Sequence, residues 1–430
     1  MKKSKIQVLL VVLICIVLVF TGCGKKEEPK EEPAVASGEK VLKLALVTPL
    51  TGESAKAGTE IIDAATMALE EAGYKAGDYK IEPIIVDVTT DPEKGALALE
   101  QAIINDGAQA VIFGWNSSVV MSLMDVVAKY KIPYYFDHAA EAGTIDDKYK
   151  SDPERYSYFI GKGTPSPELL AATSYISAID EAIKDGTFKP ANQNIAIYGE
   201  DTAWGRSFGS AVGNSFIEAG WTKSYEDYFP MDTTDFYAIL SKIKASNPSI
   251  VAGTISSPAS AAAFLKQAQA LNLNAVIIAD VLSANADYYS LTGDSVNYVL
   301  DSRPVWKDKG KAFVNAFQKK YGYAPSPINA GLVYDYMNFF IKSSEAAIDK
   351  YGKLDSESLY KFGQEVLMKG DFTYDDGIVM DRYKFTPDTA PSPVVGEGFY
   401  NFPVLQFMGP NINVIWPSSQ ATAKFQLPVK

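Results

Sequence analysis

Four stretches of this 430-residue sequence, and a few single residues beyond them, concentrate side chains able to hold or transform a small molecule. Gly114-Trp115-Asn116-Ser117-Ser118 joins serine hydroxyls to the free backbone N–H groups expected where a helix begins. That combination suits a carboxylate, because a helix N-terminus concentrates partial positive charge. The same serines could equally cap the helix. Asp137-His138-Ala139-Ala140-Glu141 carries the sole histidine, His138, which could give a ligand a hydrogen bond or pack as an ordinary ring. Glu200-Asp201-Thr202-Ala203-Trp204-Gly205 offers an indole face, Trp204, for stacking on a ligand or for the core. Thr254 to Ser260, TISSPAS, supplies hydroxyls such as Ser256 but no acid, so a ligand amino group would turn to Asp137, Asp201 or Asp280. Asp280 ends a strand, where aspartates also serve as helix caps, and Trp306 could close one side of a cleft or brace a hinge. With Tyr134 and Tyr135 nearby and aromatic residues at 12%, stacking on an aromatic or cyclic solute is a plausible use of so many ring faces.

Catalysis finds less support. Hydrolysis needs a nucleophile with a base, or paired carboxylates. One histidine and two cysteines, Cys15 and Cys23, leave no obvious triad and no Cys/His zinc constellation. Asp146-Asp147 and Asp375-Asp376 read as solvated turn residues. No cofactor or metal is expected, and the reading is of binding without chemical change. A net charge of −12 argues against nucleic acid, whose phosphates demand a basic face.

Lys2, Lys3 and Lys5 precede an apolar run from Val8 to Phe20, the layout of a secretory signal peptide over residues 1–22. Phe20-Thr21-Gly22-Cys23 follows and resembles the bacterial lipobox, with Phe20 where an aliphatic residue is usual; Cys23 is the expected lipidation site. An uncleaved anchor helix is the alternative. Gly24 to Lys40, rich in charge and proline, reads as a flexible tether within a linker over 23–40. The mature chain would keep one cysteine, which excludes an internal disulfide.

Stepping from residues to elements, the folded body starts near Val41 with strand-like and helix-like periods in alternation. Strands are predicted at Val41–Val47, Ile81–Val88, Ala110–Phe113 and Ile132–Phe136, with helices at Ala55–Ala72, after Asp91-Pro92 and up to Tyr130. The rhythm restarts after Gly163-Thr164-Pro165-Ser166-Pro167. Strands at Ile195–Tyr198, Tyr225–Phe229, Ile250–Thr254 and Ala275–Ala279 then alternate with helices at Ala203–Ala219, Asp235–Ser246 and Pro258–Leu271. Helices at Lys307–Tyr321, Asn329–Lys350 and Glu357–Lys369 come next, and Gly377 to Ile415 reads as hairpin-like strands. Two βα series imply an α/β protein with two parallel-sheet lobes.

In this order the residues resemble the type I periplasmic-binding-protein fold, in its branched-chain amino-acid-binding (Leu/Ile/Val-binding) branch of ABC importers. Four stretches carry the resemblance: LALVTPLTGESAKAG (Leu44–Gly58), VIFGWNSSVVMSLMDVVAKYKIP (Val111–Pro133), TDFYAILSKIKASNPSIV (Thr234–Val251), and Phe313–Tyr336 with Tyr321-Gly322, Pro325 and Tyr334-Asp335. The resemblance implies two doubly wound lobes joined by a three-crossing hinge, 41–162 with 303–382 and 163–302 with 383–430. It implies ligand contacts at Trp115, Asn116, Ser117, Ser118, His138, Ala139, Ala140, Trp204, Ser256, Asp280 and Trp306. Ala139 and Ala140 stand where the family has a small residue and a threonine, and TISSPAS stands where amino-acid binders place an acid. It further implies a monomeric lipoprotein that hands an amino acid, or a related organic acid or amide, to an ABC permease without acting as an enzyme. The alternatives are a ligand-sensing receptor subunit of the same fold and a binder of an aromatic carboxylate.

Overall fold

Alternating burial along the strands builds two sheets. The computed structural model describes residues 39–139, 143–165, 171–396 and 398–428; the signal segment, Cys23, the tether as far as Gly38, and Ala140 lie outside them. In β1 (Val41–Thr48), Leu42, Leu44 and Leu46 enter one core while Ala45 and Val47 enter another. The strand is thus buried on both faces, as a parallel sheet covered by helices requires. It is followed by α1 (Ala55–Glu71), β2 (Lys75–Ala76), β3 (Tyr79–Asp87), α2 (Pro92–Gln101), β4 (Ala110–Phe113), α3 (Ser117–Tyr130) and β5 (Tyr134–Tyr135). The first sheet has the order β2-β3-β1-β4-β5, parallel except for the β2–β3 pair. Asp91 caps α2 by accepting the N–H groups of Glu93 and Lys94, with Pro92 in the first turn.

After α4 (Gly143–Ser151) and α5 (Ala171–Lys184) the second series runs β6 (Asn194–Glu200), α6 (Ala203–Glu218), β7 (Thr222–Phe229), α7 (Tyr237–Ala245), β8 (Ile250–Thr254), α8 (Pro258–Ala270), β9 (Val276–Asp280), α9 (Tyr288–Thr292) and β10 (Leu300–Ser302). Here Ile195 and Ile197 share the first core, and Ala196 and Tyr198 face a third. The chain then returns to the first sheet: α10 (Gly310–Tyr321) and α11 (Val333–Tyr351) pack on α1, with Tyr321 donating to the Asp63 carbonyl at 2.9 Å. After α12 (Ser356–Phe362), it ends in β11 (Val404–Met408) and β12 (Asn411–Trp416), which pair antiparallel and complete the second sheet, β12-β11-β10-β9-β8-β6-β7. One core runs through both sheets, and one more backs each of them.

Four expectations need correction. Between Gly377 and Pro403 the chain is irregular, with only isolated bridges such as Tyr374–Tyr383; Pro387, Pro391, Pro393 and Pro403 remove the donors a ladder needs. The strand expected at Ile132–Phe136 shrinks to two residues, because Lys131 and Phe136 take positive φ on either side. The helix expected at Asn329–Lys350 begins earlier, with a π-helical turn over Pro327–Leu332. Asp146 is not solvated: it lies in α4, buried, 3.4 Å from the fully buried Lys162, whereas Asp375 and Asp376 are exposed and pair with Arg382 and Lys309.

Candidate functional site

Ligand sites in open parallel sheets lie beyond the carboxyl ends of the strands, and here both sheets turn those ends toward one cavity. It measures about 700 Å3, open solvent at its mouth included. The loops after β3, β4 and β5 bring Thr90, Trp115, Asn116, Ser117, Ser118 and His138, and the chain leaving the first sheet adds Thr164. From the second sheet come Glu200 and Thr202 after β6, Met231 after β7, Ser256 after β8, Val281 after β9 and Arg303 after β10. Ile328, Leu332 and Phe402 complete the wall.

On the first side, β4 reverses sharply into α3. Gly114 has φ +130°, and a Cβ there would come within 2.8 Å of the Tyr134 hydroxyl. The N-cap is Asn116 rather than Ser117 or Ser118, and its side chain makes no capping bond. The Asn116 amide instead donates to Ser54 Oγ at 3.4 Å, and its Oδ1 has no partner among the described residues. His138 is buried between Trp115 and Tyr336, ring centroids 5.3 and 5.7 Å away, and both of its nitrogens lack partners among the described residues. Burial, with the Arg303 charge nearby, pushes its pKa down to about 3, so the imidazole is neutral at physiological pH.

The second side is already wired. Glu200 accepts the Ser256 N–H at 2.7 Å, the Ser256 hydroxyl at 3.0 Å and the Thr202 hydroxyl at 3.0 Å. Burial raises its pKa, and those donors oppose the rise. Thr202 caps α6 by accepting the Gly205 N–H at 3.0 Å. A side chain at Gly205 would drive a Cβ to 2.0 Å from the Glu200 carbonyl, so the tight turn requires glycine. Trp204 donates from Nε1 to Thr254 Oγ1 at 2.8 Å. Arg303 pairs with Asp280, donates to the Ser302 carbonyl and lies 5.7 and 5.6 Å from the Trp204 and Phe402 ring centres. Burial pushes the Asp280 pKa up; the Arg303 charge opposes the rise and the Asp301 charge adds to it.

The two sides touch. The Ala203 N–H donates to Ser118 Oγ at 3.4 Å, Ser257 Oγ to Glu53 at 3.3 Å, and Lys56 Nζ reaches Asn285 and Asp287 at 2.6 and 2.7 Å. Behind Trp115, Ser256 and Val281, which both cavities share, lies a second chamber of about 470 Å3, open solvent included.

Of the residues picked out in the sequence, Trp115, Asn116, Ser117, Ser118, His138, Trp204 and Ser256 line the first chamber. Ala139 is buried in the core behind the first sheet. Asp280 stands behind Arg303 as its partner, neither capping a helix nor lining the chamber. Trp306 packs on Phe313 and against Gly331, away from it. Asp137 is fully buried and Asp201 pairs with exposed Arg206, so the acid in the chamber is Glu200. Glu200, Arg303 and Phe402 went unselected in the sequence. Glu200 is detectable as the last residue of a strand at the ligand edge, and Arg303 as a charge in an apolar crossover; Phe402 carries no local signal. Gly205-Arg206-Ser207-Phe208-Gly209 spells the Gly-x-Ser-x-Gly pattern of hydrolases, but it lies within α6 and forms no strand-to-helix elbow. Among the described residues no group of three His, Cys, Asp or Glu side chains converges on a metal position, and no helix is long and apolar enough to cross a membrane.

Comparison with known proteins agrees with this geometry. The family model described as periplasmic binding protein matches residues 41–388. The leucine-, isoleucine-, valine-, threonine- and alanine-binding protein of Pseudomonas aeruginosa is 25% identical over 323 residues, covering 74% of this chain and 80% of that protein. A solute-binding protein of an ABC transporter from Rhodopseudomonas palustris, solved with 3,4-dihydroxybenzoic acid, superposes with a TM-score of 0.69 at 21% identity, over 87% of this chain and 96% of that one. A branched-chain amino acid transporter substrate-binding protein from Streptococcus pneumoniae, solved with isoleucine, gives 0.68 at 16% identity, over 87% and 98%.

Proposed function

Because the chain belongs to the periplasmic binding protein family, whose members are extracytoplasmic solute-binding proteins rather than enzymes, we propose that it is the receptor of an ABC importer and holds a small organic acid in the first chamber. In this reading Cys23 carries the lipid that anchors it, and the monomeric chain delivers its solute to the permease. The lobes are 41–162 with 303–382 and 163–302 with 383–430, and they close on the solute about the crossings.

The observation that carries the reading is a chamber lined from both sheets in which groups of opposite sign stand among aromatic residues. The α3 N-terminus with Ser117 and Ser118, together with the Arg303 guanidinium, suits a carboxylate. Glu200 supplies the acid that TISSPAS lacks, close enough to Ser256 to serve an α-ammonium in its place. An amino acid is therefore the first reading. The second, an aromatic carboxylate, is favoured by Trp115, Trp204, Phe402 and a neutral His138 around one space, and by the Rhodopseudomonas palustris protein solved with such an acid. A sensing role would use the same chamber.

Calorimetric titration of the branched-chain amino acids, benzoate, 4-hydroxybenzoate and 3,4-dihydroxybenzoate separates these readings. Binding of at least one that Trp204→Ala weakens supports the reading, an aromatic acid alone would select the second, and no binding by any of them would count against both.

A further inference from the structure

The second chamber is mostly apolar, and Glu53, Glu60, Asn285 and Asn329 put acceptors among its polar lining residues. Glu60 of α1 and Asn329 of the π-helical turn, each 3% exposed, sit at its floor, and Glu53 stands at its rim. Glu60 accepts the Ser326 N–H and, at 3.2 Å, the Asn329 amide. The same amide donates to the Ala284 carbonyl at 3.0 Å. Both partners are acceptors, so the Asn329 amide cannot be turned over, and its Oδ1 is buried with no partner among the described residues. Lys56, the cation in the lining, is committed to Asn285 and Asp287. Buried acceptors left open in this way are costly unless something donates to them.

We infer that the second chamber receives a positively charged, hydrogen-bond-donating group, so that the solute is a carboxylate-bearing molecule with a cationic far end. The inference rests on the first chamber holding the carboxylate, and Trp115 and Ser256, common to both spaces, are where the molecule would pass between them. Burial raises Glu60 to about 7, opposed by the Ser326 and Asn329 donors and by Lys56. The other charged or titratable groups nearby are Glu53, Asp287 across the cleft, and Asp63 with the Tyr323 hydroxyl that donates to it at 2.7 Å. A cation beside Glu60 holds the carboxylate ionised, so its binding strengthens from pH 5.5 to pH 8.

Two matched pairs test this on the full chain: 4-(aminomethyl)benzoate against 4-ethylbenzoate, and 4-(aminomethyl)-L-phenylalanine against 4-ethyl-L-phenylalanine. Within a pair the head group is shared and only the charge at the far end differs. The ammonium member of at least one pair should bind about tenfold tighter at pH 8, with the gap narrowing at pH 5.5 and shrinking in Glu53→Gln and Glu60→Gln. Ethyl members binding as tightly as their ammonium partners at pH 8 would overturn the inference and leave the first chamber's role intact. Failure of all four to bind, with no compaction in small-angle scattering, would remove the reading of the cleft and this inference with it.

Discussion

The two walls of the first chamber are built on opposite plans. On the first-sheet side Asn116 Oδ1 and both nitrogens of His138 are buried and have no partner among the described residues. On the second-sheet side Glu200, Trp204 and Arg303 are each tied to a residue of that sheet or its loops. A wall of open valences gains most from a guest that completes it, because each unmade buried bond costs about 1–3 kcal/mol. A wall already bonded to itself is a fixed surface that contributes shape, field and stacking. On the proposed reading, the first sheet offers groups that a guest completes, and the second holds Glu200 and Arg303 as a fixed pair of opposite charges.

The largest effect should come from breaking the rigid wall. Arg303→Ala leaves Asp280 and Asp301 buried without their cation, and chemical denaturation should show a loss of about 3–5 kcal/mol. A loss below about 1 kcal/mol would mean that the second wall is not self-supporting. Trp204→Ala removes the stacking face, and the tightest-binding acid should lose about ten- to hundredfold in affinity by calorimetry. His138→Phe keeps a ring against Trp115 and Tyr336 but removes both open nitrogens; affinity should fall about five- to tenfold, while an aliphatic-only ligand would show no change.

The same variant has a pH signature. The native His138 pKa, about 3, lies below the unfolded value near 6.5, so the stability it contributes is present above pH 6.5 and is lost as pH falls toward 3. Thermal melts of the wild type should therefore decline between pH 6.5 and 4 more steeply than those of His138→Phe. Parallel declines would place the imidazole in a wetter setting than the fold gives it. Smallest of all, Ser118→Ala removes one bond between the two sides at 3.4 Å, and affinity should change less than about threefold.

Much of this was legible in the sequence. Strand and helix periods located β1, α1, β4, α3 and the βα series of the second sheet, because buried strands such as Val41–Thr48 and amphipathic helices write their packing into local patterns. The loop Gly114–Ser118, His138, Trp204 and Ser256 followed from strand ends taken together with the family resemblance. What the sequence hid depends on distant pairing. Asp280 looked like a free acid until Arg303, 23 residues on, was found against it. Glu200 and Phe402 reach the chamber through folding of the whole chain, and Gly377–Pro403 carries apolar residues that mimic strands while its prolines forbid them.

The account stands most directly on a crystal structure of the chain with its tightest-binding acid. It predicts the carboxylate within hydrogen-bonding distance of Ser117, Ser118 or Arg303, the body of the ligand on Trp204, and new bonds to Asn116 or His138. Density for the ligand outside the chamber, or touching one sheet's loops only, would contradict it.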